Sequence, residues 1–166
     1  VDAIEILNTR IATNRDMDIA IDGLAQSQGG GLTHLRNIVP ALLDVPDIDN
    51  VTLFVSKDTA SEFERSVSRD LTIEVVDVPN VLSRLLYEQL RLPLELYRRD
   101  IDVVFAPCEV APLAAPCRVV LASQNSHAYY ERESRTFSDT LHFFILRFLL
   151  VISAVRAATV VFMSDT

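Results

Sequence analysis

The alternation of short apolar runs with amphipathic segments constrains the fold of this chain more than any other feature. Residues 51–56 (VTLFVS) and 71–78 (LTIEVVDV) carry β-branched side chains at consecutive positions, which is typical of strands buried on both faces. Segments with helical spacing lie between such runs, as at Leu32, Leu35 and Val39. This order of elements predicts an α/β fold, a Rossmann-like doubly wound parallel sheet of about six strands.

Prolines and polar clusters set the expected bounds of the elements. We predict strands at 18–22, 51–56, 71–78, 102–105, 118–123 and 159–163, and helices at 32–43, 58–68 and 138–157. Another helix is expected to start at Ser83 as its N-cap and to break at Pro93, because proline disfavours helical backbone at Leu92 before it. A short helix at 94–99 then follows.

Residues 141–155 (LHFFILRFLLVISAV) are intensely apolar. They are too few for a bilayer crossing of about 20 residues, and Arg147 interrupts them, so a buried helix of the domain is preferred over a membrane span.

The composition bounds the class of protein. The 166 residues fit one domain. Hydrophobic residues make up 49% of the chain and charged residues 23%, and this composition favours a packed core over disorder. The formal net charge of −8 argues against nucleic-acid binding, which needs clustered Lys and Arg. Cys108 and Cys117 stand beside strand-like runs, so buried free thiols in a reducing compartment are expected. Residues 1–16 resemble no signal peptide, and we treat them as an N-terminal extension of unknown role in a cytoplasmic protein.

The loop after the first strand carries glycines at positions 23, 29, 30 and 31. It is not the dinucleotide motif G-x-G-x-x-G, because five residues separate Gly23 from the other three, and no acid ends the second strand. Neither Gly-Lys-Ser/Thr nor Gly-x-Ser-x-Gly occurs in the chain. A dehydrogenase, a P-loop ATPase and an α/β-hydrolase are therefore disfavoured.

Three consecutive glycines before a helix still have a physical meaning. They let the backbone approach a ligand closely, and they leave the free N–H groups and the dipole of the helix open to a phosphate. A merely tight turn would explain the same residues, so this feature alone leaves both interpretations open.

Five ordered segments resemble the N-terminal domain of family-4 type glycosyltransferases of the GT-B fold. They are IDGLAQSQGGGLTHLRNIVPAL at 21–42, SRLLYEQLRLP at 83–93, DVVFAPCEVAPL at 102–113, RVVLASQN at 118–125 and AATVVFMS at 157–164. The order of the segments is more specific than any one of them. The resemblance implies that residues 17–166 are the acceptor-side half of a two-domain enzyme whose C-terminal, donor-binding half lies outside this sequence.

The resemblance also implies a reaction. Such enzymes are retaining hexosyltransferases that move a sugar from a nucleoside diphosphate donor to an acceptor glycan, lipid or small molecule. They need no metal or other cofactor, since helix dipoles and basic side chains stabilise the leaving diphosphate. The fragment alone is expected to be inactive and to self-associate through the face that meets the second domain. Peripheral membrane contact is kept open. The alternatives are a stand-alone binding or regulatory module, and an epimerase or phosphotransfer enzyme on the same sheet.

The resemblance assigns roles to residues at the strand ends. Gly29, Gly30 and Gly31 match the loop that closes on the donor diphosphate, and Ser164 matches a serine that begins the loop after the last strand.

The loop after the fifth strand is the candidate catalytic segment. Many family members have His-Asn or His-Asp there, whereas this chain has Gln124 and Asn125. Glutamine can donate a hydrogen bond to a sugar hydroxyl but cannot shuttle a proton, and His127 is a candidate substitute. Tyr129 and Tyr130 follow; they suit sugar stacking, although aromatic packing within the loop is the preferred interpretation.

Other polar residues have competing interpretations. Glu109 is either an acceptor contact or a solvated loop residue. His34 could face a diphosphate in its positive form, whereas His142, within an apolar segment, is interpreted as a core histidine. Arg84 and Glu88 are four residues apart on a predicted helix, which favours a surface ion pair, so we expect Glu88→Ala to change turnover little.

Overall fold

The computed structural model describes residues 17–63, 70–108, 110–123 and 137–162. Its strands are β1 (Met17–Asp22), β2 (Ile48–Ser56), β3 (Leu71–Val76), β4 (Val103–Ala106), β5 (Arg118–Ser123) and β6 (Thr159–Phe162). Its α-helices are α1 (Gly29–Leu43), α2 (Lys57–Ala60), α3 (Val81–Leu86), α4 (Leu92–Arg98) and α5 (Phe137–Arg156). A π-helical segment, Tyr87–Arg91, joins α3 to α4.

The strands form one six-stranded sheet in the order β3-β2-β1-β4-β5-β6. Every neighbouring pair is parallel, from β2 against β3 at one edge to β5 against β6 at the other. The Rossmann-like doubly wound sheet that the sequence predicts is therefore confirmed. Strand order reverses between β1 and β4, which are adjacent in the sheet although β2 and β3 come between them in the chain.

Helices cover both faces of the sheet, and each face has its own apolar core. On one face, Ile21, Val51 and Leu53 pack with Leu35 and Val39 of α1. On the other face, the alternate strand residues pack against α4, and partly buried side chains extend this core to the end of α5. The strands contribute Ala20, Phe54, Val104 and Leu121, and the helices contribute Leu92, Leu96 and Ala154. The period of two along each strand sends neighbouring side chains to opposite faces.

Helix α1 begins earlier than its apolar spacing predicts. It starts at Gly29, so the three glycines form its first turn instead of a preceding loop, and it runs through Pro40 to Leu43. The low helix propensity of glycine hides this start from sequence reasoning. The predicted polar helix at 58–68 is shorter: α2 ends at Ala60, and residues 64–69 lie outside the described part of the chain.

The predicted break at Pro93 is wrong. Leu92 keeps helical backbone angles (φ −57°, ψ −44°), and its N–H bonds to the carbonyl of Tyr87, five residues back. The wider π turn carries the helix past proline, whose ring would otherwise meet the carbonyl four residues earlier. The predicted N-cap is wrong as well: Asn80 caps α3, with its Oδ1 accepting from the Ser83 N–H at 2.9 Å, and Ser83 closes the capping box.

Helix α5 spans the intensely apolar segment, so the predicted helix is confirmed. The predicted burial is wrong in part: Leu150 and Ser153 are buried, whereas Phe148, Val151 and Val155 are exposed, because only one side of the helix packs against the sheet. Among the described residues, no helix is both long enough and apolar enough to cross a bilayer.

Candidate functional site

The carboxyl ends of β1 and β4 form the switch point of the sheet. The chain leaves β1 towards the face that carries α1, whereas the loop after β4 packs on the face that carries α4, where Ala111 joins the core of Leu92 and Leu96. A crevice opens at such a point because the two neighbouring loops diverge, and doubly wound sheets bind their ligands there. The loops concerned are residues 23–28 after β1 and residues 107–117 after β4, of which residue 109 is not described.

The start of α1 faces this edge and is open to an anion. Gly29 has a φ of +63°, a left-handed value that favours glycine. The N-cap residue, Gln28, makes no side-chain bond to the helix, and the first turn holds no acidic side chain. Gly29 and Gly30 are exposed. The helix therefore presents backbone N–H groups and the positive end of its dipole without a side-chain cap.

Gln26 ties the two loops together across the crevice. Its side chain is 8% exposed, and its Nε2 donates a hydrogen bond to the carbonyl of Pro107 in the loop after β4. Its Oε1 lies against Gly31, where a Cβ would overlap it. An alanine at position 31 would therefore displace the Gln26 side chain, whereas a Cβ on Gly30 would stand in open space.

Two further side chains hold the loop after β4. Gln89, in the π-helical segment, donates from Nε2 to the carbonyl of Ala111 (3.1 Å) and accepts from the N–H of Leu113 at Oε1 (3.0 Å). In addition, Ser153 of α5 accepts from the N–H of Ala111 at Oγ (3.1 Å). The described residues of this loop contain no helix, so these polar contacts fix its path.

A buried charged cluster lies beneath the crevice. Asp22, the last residue of β1, is 0% exposed, and Glu88 of the π-helical segment is 1% exposed. Arg84 places its Nε 3.3 Å from Glu88 Oε1, as an ion pair without the alignment of a hydrogen bond. Asp22 Oδ1 accepts from the N–H of Leu24 at 3.4 Å, whereas its Oδ2 has no hydrogen-bond partner among the described residues.

Burial sets the protonation of this cluster. Loss of hydration and, to a smaller extent, the charge of Asp22 raise the pKa of Glu88, Arg84 opposes both, and the resulting pKa is about 9. Burial also raises the pKa of Asp22, to about 6, against the opposing effects of the Leu24 N–H and Arg84. Near pH 7, Glu88 is therefore a neutral acid with a proton to donate, while Asp22 is mainly ionised beside the Arg84 cation.

The cluster corrects the interpretation of Arg84 and Glu88 as a surface ion pair. Glu88 is buried, because the π turn directs it inward together with Leu92 and Leu96 of the core. We expected Glu88→Ala to change turnover little because the sequence suggested a surface position for Glu88. Since Glu88 is buried, this expectation no longer follows.

Both cysteines are free thiols, and each is partly buried. Burial raises the pKa of Cys108 well above its ordinary value, with Asp22 and Glu88 adding to the effect. Burial likewise raises the pKa of Cys117 to about 11. Neither thiol is a nucleophile near neutral pH, since the reactive form is the thiolate.

The structure describes only some of the sequence-predicted site residues. Gly29, Gly30 and Gly31 lie at the predicted edge of the sheet. The other candidates lie outside the described residues: Glu109, Gln124, Asn125, His127, Tyr129 and Ser164. The chain enters the loop at 124 from the carboxyl end of β5, which adjoins β4 in the sheet.

His34 does not suit the role of a cation facing a diphosphate. Burial lowers its pKa, so its neutral form predominates near pH 7. Its ring lies 6.2 Å from that of Phe105, and its Nε2 has no hydrogen-bond partner in the described part of the molecule.

Sequence reasoning missed the buried members of the site. Asp22 directly follows the apolar run Ile19–Ile21 at the end of β1, which is a signal for a residue at a strand's carboxyl edge. Gln26 gave no signal, since glutamine is common in loops.

No group of three or more His, Cys, Asp or Glu side chains within the described ranges is arranged to hold a metal ion. Comparison with models of known protein families and with curated proteins finds no match.

Proposed function

We propose that this chain is the acceptor-side domain of a retaining glycosyltransferase that uses a nucleoside diphosphate sugar as donor. One observation carries the proposal: an uncapped, glycine-initiated helix begins at the switch point of a parallel sheet in the order 3-2-1-4-5-6. The ordered sequence segments that resemble family-4 type enzymes supply the choice of reaction, because a sheet of this kind serves many chemistries.

The first turn of α1 would interact with the donor diphosphate. Gly29 and Gly30 leave the backbone N–H groups accessible, and the helix dipole opposes the charge that grows on the leaving group. A helix N-terminus contributes about 0.3–1 kcal/mol to such an interaction. Millimolar binding needs about 4 kcal/mol, so most of the donor affinity must come from the second domain that the proposal includes. The 166 residues alone are therefore expected to bind nucleoside diphosphates weakly.

The loop at 124–130 is the proposed site of acceptor chemistry. Retaining transfer tolerates an amide at Gln124 if the leaving diphosphate takes the acceptor's proton. Asn125 and His127 would then orient the hydroxyl and stabilise positive charge at the sugar. In the full-length protein, Asn125→Ala and His127→Ala are each expected to lower kcat at least about tenfold, the value of one transition-state hydrogen bond. Wild-type turnover in both variants would make this loop a scaffold.

Gly30 offers a sharper test of the diphosphate contact. A Cβ there meets no atom within 4 Å, so Gly30→Asp should fold normally. Its carboxylate would even stabilise α1, because acids are favourable in the first turn of a helix. The same carboxylate would repel a diphosphate. We expect Gly30→Asp to raise the donor KM at least about tenfold without lowering the melting temperature.

Gly30→Asn is the matched control, since it adds a side chain of the same size without the charge. Release of nucleoside diphosphate from uridine, guanosine and adenosine diphosphate sugars is the assay, with the anomeric configuration of the product read by NMR. Equal donor KM values for the Asp and Asn variants would refute the contact at α1. An inverted product, or no transfer with any donor, would refute the proposed reaction and favour a binding module without turnover.

A further inference from the structure

The two helical faces of the sheet differ in what they show to solvent. On the α1 face, the large apolar side chains of the helix point inward, and the exposed positions include Thr33, Arg36, Asn37 and Ala41. On the opposite face, both long helical elements display large apolar side chains outward. Exposed apolar area of this kind is uncommon unless it meets a partner.

The helix at 81–98 carries the longer of the two apolar stripes. Five outward side chains are between 40% and 73% exposed, namely Leu82, Leu86, Leu90, Leu94 and Tyr97. Side chains four residues apart drift by about 40° per step around a regular α-helix. The π turn at Tyr87–Arg91 sets this drift back, so the five side chains stay on one side of the helix while Glu88, Leu92 and Leu96 stay in the core.

Helix α5 carries a second stripe on the same face of the sheet. Phe148, Val151 and Val155 are three and four residues apart, and each is more than half exposed. Ser153 and Ala154, between them in sequence, point inward. We call the outer surface formed by these two stripes the apolar face.

Arginines accompany both stripes, although the chain as a whole has a net charge of −8. Arg91 and Arg98 are more than half exposed beside the leucines, and Arg147 and Arg156 are exposed on α5. The two acidic side chains of the 81–98 helix have little solvent exposure: Glu88 is buried, and Glu95 is 19% exposed between its arginine partners. Among the side chains that the structure describes, the apolar face is therefore locally basic on an acidic protein.

The combination of exposed apolar side chains and exposed arginines indicates which partner the apolar face binds. A second copy of the chain would bring arginines against arginines, which disfavours a homodimer through this face. An anionic bilayer surface offers apolar depth for the leucines and negative head groups for the arginines at their edge. We propose that the apolar face docks on the surface of an anionic lipid bilayer. This inference stands independently of the proposed sugar transfer.

Vesicle flotation of the full-length protein tests the docking. The protein should float with vesicles of equimolar phosphatidylcholine and phosphatidylglycerol, and far less with phosphatidylcholine alone. Leu86→Gln with Leu90→Gln should lower the partition coefficient at least about tenfold. Arg91→Gln with Arg98→Gln should abolish the difference between the two kinds of vesicle. Both double variants alter exposed side chains and should retain the wild-type melting temperature.

The opposite face of the sheet supplies the control. Arg36→Gln with Ala41→Gln changes exposed residues of α1 and should leave flotation unchanged. The proposal is overturned if the wild type stays with the unfloated fraction, or if the control variant weakens flotation as much as the leucine variant. It is also overturned if light scattering shows a dimer that only the leucine variant dissociates, since a second copy would then cover the apolar face.

Discussion

Replacing Glu88 with glutamine should change how the stability of this protein depends on pH. Glu88 is buried beside Asp22 and Arg84, and burial raises its pKa from an ordinary 4.5 to about 9. The folded protein therefore holds a proton on Glu88 at pH values where the unfolded chain has lost it. The stabilisation from this proton is fully present below pH 4.5 and is lost as the pH rises through about 9.

The size of the effect follows from the number of protons. Where the folded state holds one proton more than the unfolded state, the free energy of unfolding falls by about 1.4 kcal/mol for each pH unit. Glutamine has nearly the same shape and does not titrate, so Glu88→Gln lacks this fall. Between pH 6 and pH 7, the variant should gain on the order of 1 kcal/mol relative to the wild type. The gain should continue towards pH 8.

Urea unfolding of both proteins at pH 6, 7 and 8 measures this difference directly. Glu62→Gln is the control for loss of one surface carboxylate, since its side chain is 41% exposed. Parallel stability curves for wild type and Glu88→Gln over this range would show that Glu88 is ionised in the folded protein. The account of the buried cluster would then be wrong.

Four other substitutions test the packing around the site by thermal or urea unfolding. Gly31→Ala should destabilise the fold by about 1–2 kcal/mol, because it displaces Gln26 from Pro107. Gly30→Ala is the control and should be neutral or stabilising. Equal effects of the two substitutions would contradict the packing at Gly31. Leu92→Ala should cost about 2–5 kcal/mol as a fully buried residue. Asn80→Ala should cost about 1 kcal/mol by removing the cap of α3, and no loss would count against the capping box.

The parallel sheet could be predicted because its signal is local and repeated. Runs such as those of β2 and β5 are apolar at successive positions, and only strands covered on both faces suit that pattern. The helix at 81–98 was harder to interpret, because Leu82, Leu86 and Leu90 point outward while Glu88 points inward. Hydrophobic spacing there predicts the wrong face, and a proline conceals a π turn that only the backbone geometry reveals.

The candidate site was predictable as a location and not as a set of contacts. The glycines of α1 mark the carboxyl edge of the sheet, which follows from the order of elements. Gln26, Gln89 and Ser153 act through partners 81, 22 and 42 residues away along the chain. Such contacts have no local sequence pattern, so sequence reasoning could not find them.

The loop after β4 has a consequence for cooperativity. Its backbone is held by side chains from the β1 loop, the π-helical segment and α5, so it acquires its shape only when all three have docked. The loop after β4, which forms one side of the crevice, therefore depends on contacts from both the β1 loop and α5. A molecule that binds between the β1 and β4 loops would therefore stabilise the entire domain, and hydrogen exchange should slow in α5 as well as beside the ligand.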